Sequence, residues 1–587
     1  MCKEAPQINK QPSLEASDAP WWQAAVAYQI YPRSFADGNG DGIGDLRGII
    51  DHIDHLSDLG IDVLWLSPIY PSPQDDNGYD ISDYCDIEPD YGTLADLDEL
   101  VAALHARRMR LIMDLVVNHT SDEHPWFVES RASRDNPKRD WYVWRDGKGE
   151  DGLVPPNNWE SHFSGPAWTY DETTGQWYLR IFSSKQPDLN WENPEVREAV
   201  YSMMRWWLDR GVDGFRMDVI NLISKPDGLP DAPAQPGQSL ANGRALYSNG
   251  PRLLEYLDEM RRAVLDAHEG CLFTVGETPN IELDTVRKIT DPGVGGLKMV
   301  FTFEHVNVDQ VGSKWNPVPL ELPSLKRTMD RWQRGLESSW NSLYWNNHDQ
   351  PRAVSRWGDD QDGRVASAKA WATVLHLHRG TPYVYQGEEI GMTNIDIRSE
   401  DDLLDVQSRN FFRGEKEAGS APNDEILKRI RPMARDNSRS PMQWTAQAHA
   451  GFTTRTPWMP VNANHATINV EDDRRRDDSV FAHYRALIDL RHTSPVVALG
   501  DCHLEDLDDE RLYVVVRDLD GRRAVMIANL SGEATDASAV AARHAGRGLV
   551  VALGGTGGVR LDDVTELAPW QAIVALPSDD PYLDGRA

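Results

Sequence analysis

Cysteine and long apolar runs are both scarce in this sequence of 587 residues. Its four cysteines, Cys2, Cys85, Cys271 and Cys502, are scattered and form no CxxC pair, so neither a disulfide framework nor a zinc site is predicted. No apolar run approaches the ~18 residues of a membrane-spanning helix, and the polar segment up to Pro20 lacks the hydrophobic stretch of a signal peptide. The sequence therefore predicts a protein of a reducing, cytoplasmic compartment.

Positive charge is also in short supply. Lys and Arg number 60 against 93 Asp and Glu, which leaves a formal net charge of −33. This balance disfavours nucleic acid and anionic membrane surfaces as partners, because both repel an acidic protein. It places no restriction on uncharged ligands such as sugars. Hydrophobic residues make up 40% of the chain, so a large core is expected and general disorder is excluded.

From Trp22 to about residue 390, short apolar runs alternate with amphipathic helical segments. Eight of these runs are typical of buried parallel strands: Val26–Tyr31, Val63–Leu66, Arg110–Val116, Gly214–Met217, Leu272–Val275, Lys298–Phe303, Asn341–Trp345 and Pro382–Tyr385. Eight strands in continuous alternation with helices predict an α/β fold, a (β/α)8 TIM barrel, over residues 21–117 and 187–500.

The remaining segments differ in composition from the predicted barrel. Residues 118–186, after the third strand, are rich in Trp, Pro, Asn and Gly and are predicted to form an inserted, loop-rich domain. A second, highly charged insertion at residues 392–440 follows the eighth strand. Residues 501–587 contain β-rich segments separated by Gly and Asp, which predict an antiparallel C-terminal domain, a β-sandwich. Residues 1–20 have little to bury and are predicted to be a disordered leader.

Polar residues follow the carboxyl ends of four predicted strands, where barrel enzymes carry their chemistry. The stretches concerned are Asp114-Leu-Val-Val-Asn118-His119, Arg216-Met-Asp218, Gly276-Glu277 and Asn347-His348-Asp349. One polar strand end is ordinary capping, but four on one rim would converge on one pocket. Glycoside hydrolysis needs a proton donor and a second carboxylate facing the anomeric carbon. Asp218, Glu277 and Asp349 can supply these groups.

These stretches closely resemble the α-amylase superfamily of glycoside hydrolases, and within it the oligo-1,6-glucosidase and α-glucosidase branch. The resemblance covers the chain after Trp21 and includes three further matching stretches: Ala27-Tyr-Gln-Ile-Tyr-Pro-Arg-Ser-Phe35, Asp76-Asn-Gly-Tyr-Asp80 and Gln186-Pro-Asp-Leu-Asn190. Several long motifs in the right order make chance resemblance negligible. The resemblance implies a retaining, exo-acting α-glucosidase that acts on small oligosaccharides.

The resemblance also implies a role for each matching residue. Asp218 matches the nucleophile, Glu277 the acid/base and Asp349 the stabiliser of the transition state. The implied substrate-binding residues are Asp76, Tyr79, His119, Phe182, Gln186, Arg216, Val219, His348 and either Arg435 or Arg439. Tyr79 and Phe182 also fit ordinary core positions, and Gln186 also fits an internal cap.

A glycine-rich loop after the first strand spaces oxygen ligands at every second residue. The candidate ligands are Asp37, Asn39, Asp41, the carbonyl of Ile43, and Asp45. Hard oxygen donors on a wrapping backbone suit Ca²⁺ or Mg²⁺. The glutamate of an EF-hand is replaced by Gly48, so the loop is not an EF-hand. The resemblance implies a structural Ca²⁺, and a Gly/Asp turn without metal is the alternative.

Val219 follows the expected nucleophile and bears on the linkage that is cleaved. By resemblance, valine here goes with α-1,6 preference, whereas alanine or threonine goes with α-1,4 preference. An α-1,4-preferring α-glucosidase and a trehalose-6-phosphate hydrolase stay open as alternatives. The stretch Leu320–Arg327 lacks the Arg-rich loop of related sucrose isomerases. A non-enzymatic member of the superfamily is disfavoured, because such proteins pair eroded catalytic residues with a membrane helix.

Overall fold

A computed structural model describes residues 19–584, and a ring of eight parallel strands lies at its centre. These strands are β1 (Ala27–Ile30), β2 (Val63–Leu66), β3 (Arg110–Leu115), β4 (Gly214–Met217), β5 (Phe273–Glu277), β6 (Met299–Phe301), β7 (Ser342–Leu343) and β8 (Thr381–Tyr385). They pair in the order β7-β8-β1-β2-β3-β4-β5-β6, and a parallel bridge between Val300 and Asn341 nearly closes the ring. The predicted (β/α)8 barrel is confirmed. The predicted leader, residues 1–20, lies almost wholly outside the described residues.

Burial on both faces explains why the barrel strands are continuous apolar runs. All residues of β1, β2 and β4 are buried, because helices cover the outside of the barrel and side chains fill the inside. The main outer helices are Leu46–Asp51, Ile53–Leu59, Leu94–Ala106, Pro194–Asp209, Leu253–Met260, Leu283–Ile289, Leu322–Gly335, Arg364–His376 and Val480–Thr493. β7 is shorter than the predicted run Asn341–Trp345, so the polar residues after it lie on a loop.

Each insertion builds a small core of its own above the barrel. The inserted domain contains the helix Pro125–Ala132 and a three-stranded antiparallel sheet of Trp144–Arg145, Trp168–Asp171 and Gln176–Leu179. The insertion after β8 contains the helices Val406–Glu417 and Asn423–Ile430. It packs on a hairpin after β6, Gln310–Val311 with Ser313–Pro317, where Trp315 stacks on Phe411. Both insertions therefore lie on loops that follow the carboxyl ends of barrel strands.

The C-terminal strands form one antiparallel sheet that packs against the barrel. Its members are Asp501–Glu505, Leu512–Leu519, Arg522–Asn529, Leu549–Leu553 and Ala572–Pro577, beside a two-stranded ladder of Thr535–Asp536 and Glu566–Leu567. Alternate residues face opposite ways: Tyr513 and Met526 join the main core, whereas Val514 and Ile527 join a separate one. The predicted antiparallel C-terminal domain is confirmed. Its description as a sandwich beginning at residue 501 stays a prediction.

Within residues 19–584, every helix is too short or too polar to cross a membrane.

Candidate active site

The carboxylates of Asp218 and Glu277 meet at one buried guanidinium. β4 and β5 are hydrogen-bonded neighbours, so the residues at their carboxyl ends lie at the same edge. Arg216 Nη1 donates to Asp218 Oδ1 at 2.6 Å, and Nη2 donates to Glu277 Oε2 at 2.5 Å. Arg216 is only 2% exposed. Its charge therefore acts on both carboxylates where water is largely excluded.

Burial and neighbouring negative charge both act on the Asp218 carboxyl. Burial raises the pKa of Asp218 well above its usual range, and a hydrogen bond to Glu277 and the charges of Glu277 and Asp114 raise it further, against the opposing charge of Arg216. Two neighbouring carboxyls cannot both ionise easily in a buried site. The Val219 N–H also donates to Glu277 Oε2 at 3.1 Å. Arg216 is the neighbouring group that opposes this shift and favours the ionised Asp218 carboxylate.

Asp114 anchors the arginine and was not predicted as a site residue, although it lies within a matching motif. Its carboxylate accepts hydrogen bonds from Arg216 Nη1 at 2.7 Å, the Tyr79 hydroxyl at 3.0 Å and the Trp65 indole N–H at 3.2 Å. Burial raises the pKa of Asp114 to about 6. A charged residue within an apolar strand was the signal that could have identified it.

His348 is a neutral imidazole whose Nε2 proton is directed to the pocket. Gln29 Nε2 lies 2.7 Å from Nδ1. Because an amide nitrogen only donates, Nδ1 accepts and the ring proton is on Nε2. Burial lowers the pKa of His348 to about 3. Nε2 lies 3.5 Å from Asp349 Oδ1, and the Tyr79 ring stacks on the imidazole at 5.2 Å.

Asp349 is held as an anion by both candidate arginines. Its Oδ1 accepts hydrogen bonds from Arg435 Nη1 at 3.2 Å and Arg439 Nη2 at 2.8 Å. Burial opposes ionisation of Asp349, but the neighbouring cations, Arg435 and Arg439 among them, outweigh it and hold the pKa well below its usual range. The side chain remains 32% exposed. Both candidate arginines therefore reach Asp349, and which of them contacts a sugar stays a prediction.

Asp76 and Gln186 close one end of the pocket. Arg435 Nη2 donates to Asp76 Oδ1 at 2.9 Å, and Gln186 Nε2 donates to Asp76 Oδ2 at 3.2 Å and to the Tyr79 carbonyl at 3.3 Å. His119 Nε2 lies 3.2 Å from the same carbonyl. Burial raises the pKa of Asp76 to about 6 and lowers that of His119 to about 4. Gln186 therefore caps internal groups and lines the pocket at once.

Phe182 and Val219 lie where the inserted domain meets the barrel. The Phe182 ring is 5.0 Å from the His119 ring and 4.9 Å from that of His162. Val219 packs into the core of the inserted domain and is 7% exposed. Its φ of 33° lies in the left-handed region, which is unusual for a β-branched residue. This backbone geometry accompanies the hydrogen bond from Val219 to Glu277.

The predicted catalytic and binding residues are joined by these contacts around a single pocket. Besides Asp114, two charged neighbours were missed by sequence reasoning. Asp405 accepts hydrogen bonds from both Arg435 and Arg439. Lys314, on the hairpin after β6, donates to Gln407 at 2.9 Å. The sequence signal for Asp405 was the high charge of the second insertion. Lys314 lies outside that insertion and had no such signal.

The glycine-rich loop after β1 is ordered by its own hydrogen bonds. The Asp45 carboxylate accepts from the N–H groups of Gly38, Asn39 and Gly48 and begins the helix Leu46–Asp51. Asp37, Asn39 and Asp41 likewise accept from the backbone N–H groups of Gly40, Asp41, Gly42 and Ile43. Across the described part of the chain, no three His, Cys, Asp or Glu side chains are arranged to hold a metal.

A (β/α)8 barrel with three carboxylates at its carboxyl rim defines a glycoside hydrolase. The family model for the α-amylase catalytic domain matches residues 29–500, so the chain belongs to the α-amylase family. It is 54% identical over 518 residues to an oligo-1,6-glucosidase of Halalkalibacterium halodurans, a match that covers 88% of this chain and 91% of that protein. The predicted family, fold and enzyme class are confirmed.

Solved structures give the same family assignment. The trehalose-6-phosphate hydrolase of Bacillus licheniformis aligns with a TM-score of 0.87 at 43% identity, covering 95% of this chain and 99% of that one. A trehalulose synthase of Pseudomonas mesoacidophila aligns with a TM-score of 0.88 at 41% identity, covering 95% and 100%. An inactive double variant of that synthase has been solved with isomaltulose, and another variant with sucrose. Proteins of this fold thus bind small sugars.

Proposed function

We propose that the protein is a retaining, exo-acting α-glucosidase that hydrolyses α-1,6 bonds at the nonreducing ends of isomalto-oligosaccharides and related short sugars. The observation that carries the proposal is the Asp218–Glu277 pair on Arg216. Both carboxyls bind the same guanidinium, at 2.6 Å and 2.5 Å, whereas inverting enzymes separate their two carboxyls by roughly 6.5–9.5 Å to admit a water. This proximity supports double displacement.

In the first step, Asp218 attacks the anomeric carbon while Glu277 protonates the glycosidic oxygen. The bond from C1 to that oxygen breaks, and the glucosyl group is left on the Asp218 carboxylate. The Glu277 carboxylate then takes a proton from water, which attacks C1 and releases α-glucose and free Asp218. The Arg216 hydrogen bond at 2.6 Å favours the ionised nucleophile.

Exo action is supported by the closed end of the pocket. Arg435 pairs with Asp76, and Tyr79 stacks on His348, so these side chains would block the space beyond a terminal glucose whose C1 lies at Asp218. Asp349 is ionised and partly exposed, so it can accept hydrogen bonds from ring hydroxyls. These hydrogen bonds can strengthen as positive charge develops on the sugar ring in the transition state. Neutral His348 can donate to a hydroxyl without adding charge.

The α-1,6 preference is supported by the name of the relative from H. halodurans and by Val219 beside the nucleophile. Relative kcat/KM on isomaltose, panose, isomaltulose, maltose, sucrose and trehalose 6-phosphate tests it. The highest values on isomaltose and isomaltulose would support the proposal. A preference for maltose would favour an α-1,4-glucosidase, and a preference for trehalose 6-phosphate would favour the hydrolase of that sugar.

We further propose that the glycine-rich loop binds a structural Ca²⁺ or Mg²⁺. Asp37, Asn39, Asp41, Asp45 and the Ile43 carbonyl place hard oxygen donors at every second position of one short loop, the donor type that these cations prefer. Binding would require the side-chain oxygens to exchange their hydrogen bonds to backbone N–H groups for metal contacts. A cation that binds only the folded protein stabilises it by mass action. Chelation should lower the melting temperature without abolishing activity at 25 °C. Unchanged melting and an absence of bound metal by elemental analysis would leave the loop as a turn.

A cytoplasmic location is proposed for the same protein. Cys85 and Cys502 are free thiols, which suits a reducing compartment. Fractionation of cells that express the full chain, followed by the α-glucosidase assay, tests this location. Activity recovered outside the cytoplasmic fraction would contradict it.

A further inference from the structure

Asp405 is a buried carboxylate, 1% exposed, in the insertion after β8. It directly precedes the helix Val406–Glu417. Its Oδ1 accepts the N–H groups of Gln407 at 3.0 Å and Ser408 at 3.3 Å, which caps the helix. One carboxylate oxygen is thus sufficient for the structural role of this residue.

The other oxygen, Oδ2, binds two arginines of the pocket. It accepts from Arg435 Nε at 2.8 Å and Nη2 at 2.6 Å, and from Arg439 Nη1 at 3.0 Å. The same two guanidiniums donate to Asp349 Oδ1 through Arg435 Nη1 and Arg439 Nη2. Asp405 and Asp349 are therefore linked through both arginines. A guanidinium group is planar, so its N–H groups have fixed directions. The position of one carboxylate bound to it therefore constrains the position of the other.

Asp405 is also needed to balance charge in this part of the pocket. The charged and titratable groups around it include Arg435, Arg439, Asp349, Asp76, Asp436, Lys314, His348 and Tyr31. Burial opposes ionisation of Asp405, but Arg435 and Arg439 hold its pKa below the usual range. Removing this charge would leave a more positive environment for Asp349 and the catalytic carboxyls.

We propose that Asp405 is a positioning residue for catalysis, which holds Arg435 and Arg439 so that both orient Asp349 toward the ring hydroxyls. The inference rests on the proposed α-glucosidase function. Asp405 acts through the arginines, so it is distinct from the residues that touch the sugar. It also links the start of an insertion helix to the geometry of the pocket.

Asp405→Asn tests the role, because asparagine keeps an oxygen that can cap the helix but removes the charge. With p-nitrophenyl α-glucoside, kcat should fall about tenfold or more with a smaller change in KM, since the interaction lost acts mainly in the transition state. Both limbs of the pH profile of kcat/KM should shift to lower pH, because added positive potential favours deprotonated acids. Partial unfolding would scale the rate without shifting the profile.

The matched control is Asp401→Asn, at an exposed acid of the same insertion, and it should behave as wild type. If Asp405→Asn does not fold, Asp405→Ser provides a second variant that keeps a capping hydroxyl. A variant with kcat within twofold of wild type and an unshifted pH profile would overturn the inference but leave the proposed function standing. A wild-type protein that releases no p-nitrophenol would instead overturn the proposed function, and the inference with it.

Discussion

At the scale of single residues, the position of Asp218 and Glu277 predicts the stereochemistry of the reaction. Both carboxyls bind Arg216 and so lie close together, as they do in retaining enzymes. We therefore expect Asp218 to attack C1 in the first step and water to attack in the second. NMR of the first-formed glucose should show the α-anomer. Asp218→Asn should remain folded and lose activity by about 10⁴-fold or more, as removal of a nucleophile does. Initial release of β-glucose would contradict the assignment.

Val219 makes a separate prediction about linkage, since it adjoins the nucleophile. Val219→Ala or Val219→Thr should raise the maltose/isomaltose ratio of kcat/KM by up to roughly tenfold, which corresponds to ~1.4 kcal/mol. Activity on an aryl α-glucoside should survive, because the Val219 N–H that binds Glu277 belongs to the backbone. An unchanged ratio would indicate that linkage specificity is determined instead by the insertion after β8 or by Glu304 and His305 near β6.

The left-handed backbone of Val219 adds a constraint that could not be predicted from the sequence. A β-branched residue at a φ of 33° is strained, and the strain is retained because its side chain is packed in the core of the inserted domain. The motif around Asp218 shows which residue follows the nucleophile. It does not show that this residue directs its N–H to the acid, because that contact depends on packing from residues 143–181.

At the scale of elements, the loop after β8 buries a carboxyl that should make stability depend on pH. Burial raises the pKa of Glu388 from 4.5 to about 7, against hydrogen bonds from Tyr484 and Asn346. The folded protein therefore binds this proton more tightly than the unfolded chain. The resulting stabilisation, about 3 kcal/mol at most, is complete below pH 4.5 and lost as pH rises through 7.

Glu388→Gln should remove this contribution to the pH dependence. Between about pH 5 and 8, the unfolding free energy of wild type should fall more steeply than that of the variant, as measured by denaturant titration at each pH. Glu417→Gln, at an exposed position, is the matched control and should keep the wild-type slope. Equal slopes for wild type and Glu388→Gln would show that Glu388 does not titrate in this range.

The elements also show how far the sequence could predict the site. Asp218 and Glu277 were identifiable because each ends an apolar run, and a parallel barrel brings strand ends to one rim. Asp405 was not, because its partners Arg435 and Arg439 lie 30 residues or more along an irregular insertion. The strand Ser313–Pro317 was missed for a different reason. Its hairpin pairing is short, and the hairpin contains Gly312 and Pro317, which weaken a strand pattern. Patterns predict regular elements, whereas such contacts depend on tertiary packing.

At the scale of the whole molecule, the C-terminal sheet is attached to the barrel partly through one buried ammonium. Lys326, on the helix Leu322–Gly335, is 0% exposed. Its Nζ donates to three carbonyls of the C-terminal region: Asp506 at 2.6 Å, Asp509 at 2.5 Å and Leu512 at 3.0 Å. Burial lowers the pKa of Lys326 to about 8. Because the three carbonyls share one donor, removing Lys326 should leave all three without this partner. The junction should then lose more stability than the loss of a single hydrogen bond would cause.

Lys326→Met should therefore destabilise the docking of the C-terminal domain by about 3 kcal/mol, because methionine fills similar volume but leaves the three carbonyls without this donor. Scanning calorimetry should show the transition broadening or splitting, with the C-terminal sheet unfolding first.

Arg327→Met is the matched control: Arg327 is exposed and pairs with exposed Asp508, so its loss should cost no more than about 1 kcal/mol. Activity on an aryl α-glucoside at 25 °C should persist in both variants, since the catalytic rim is built by the barrel and its insertions. Equal melting of the two variants would assign the attachment to the apolar contacts of Tyr513 and Met526 instead.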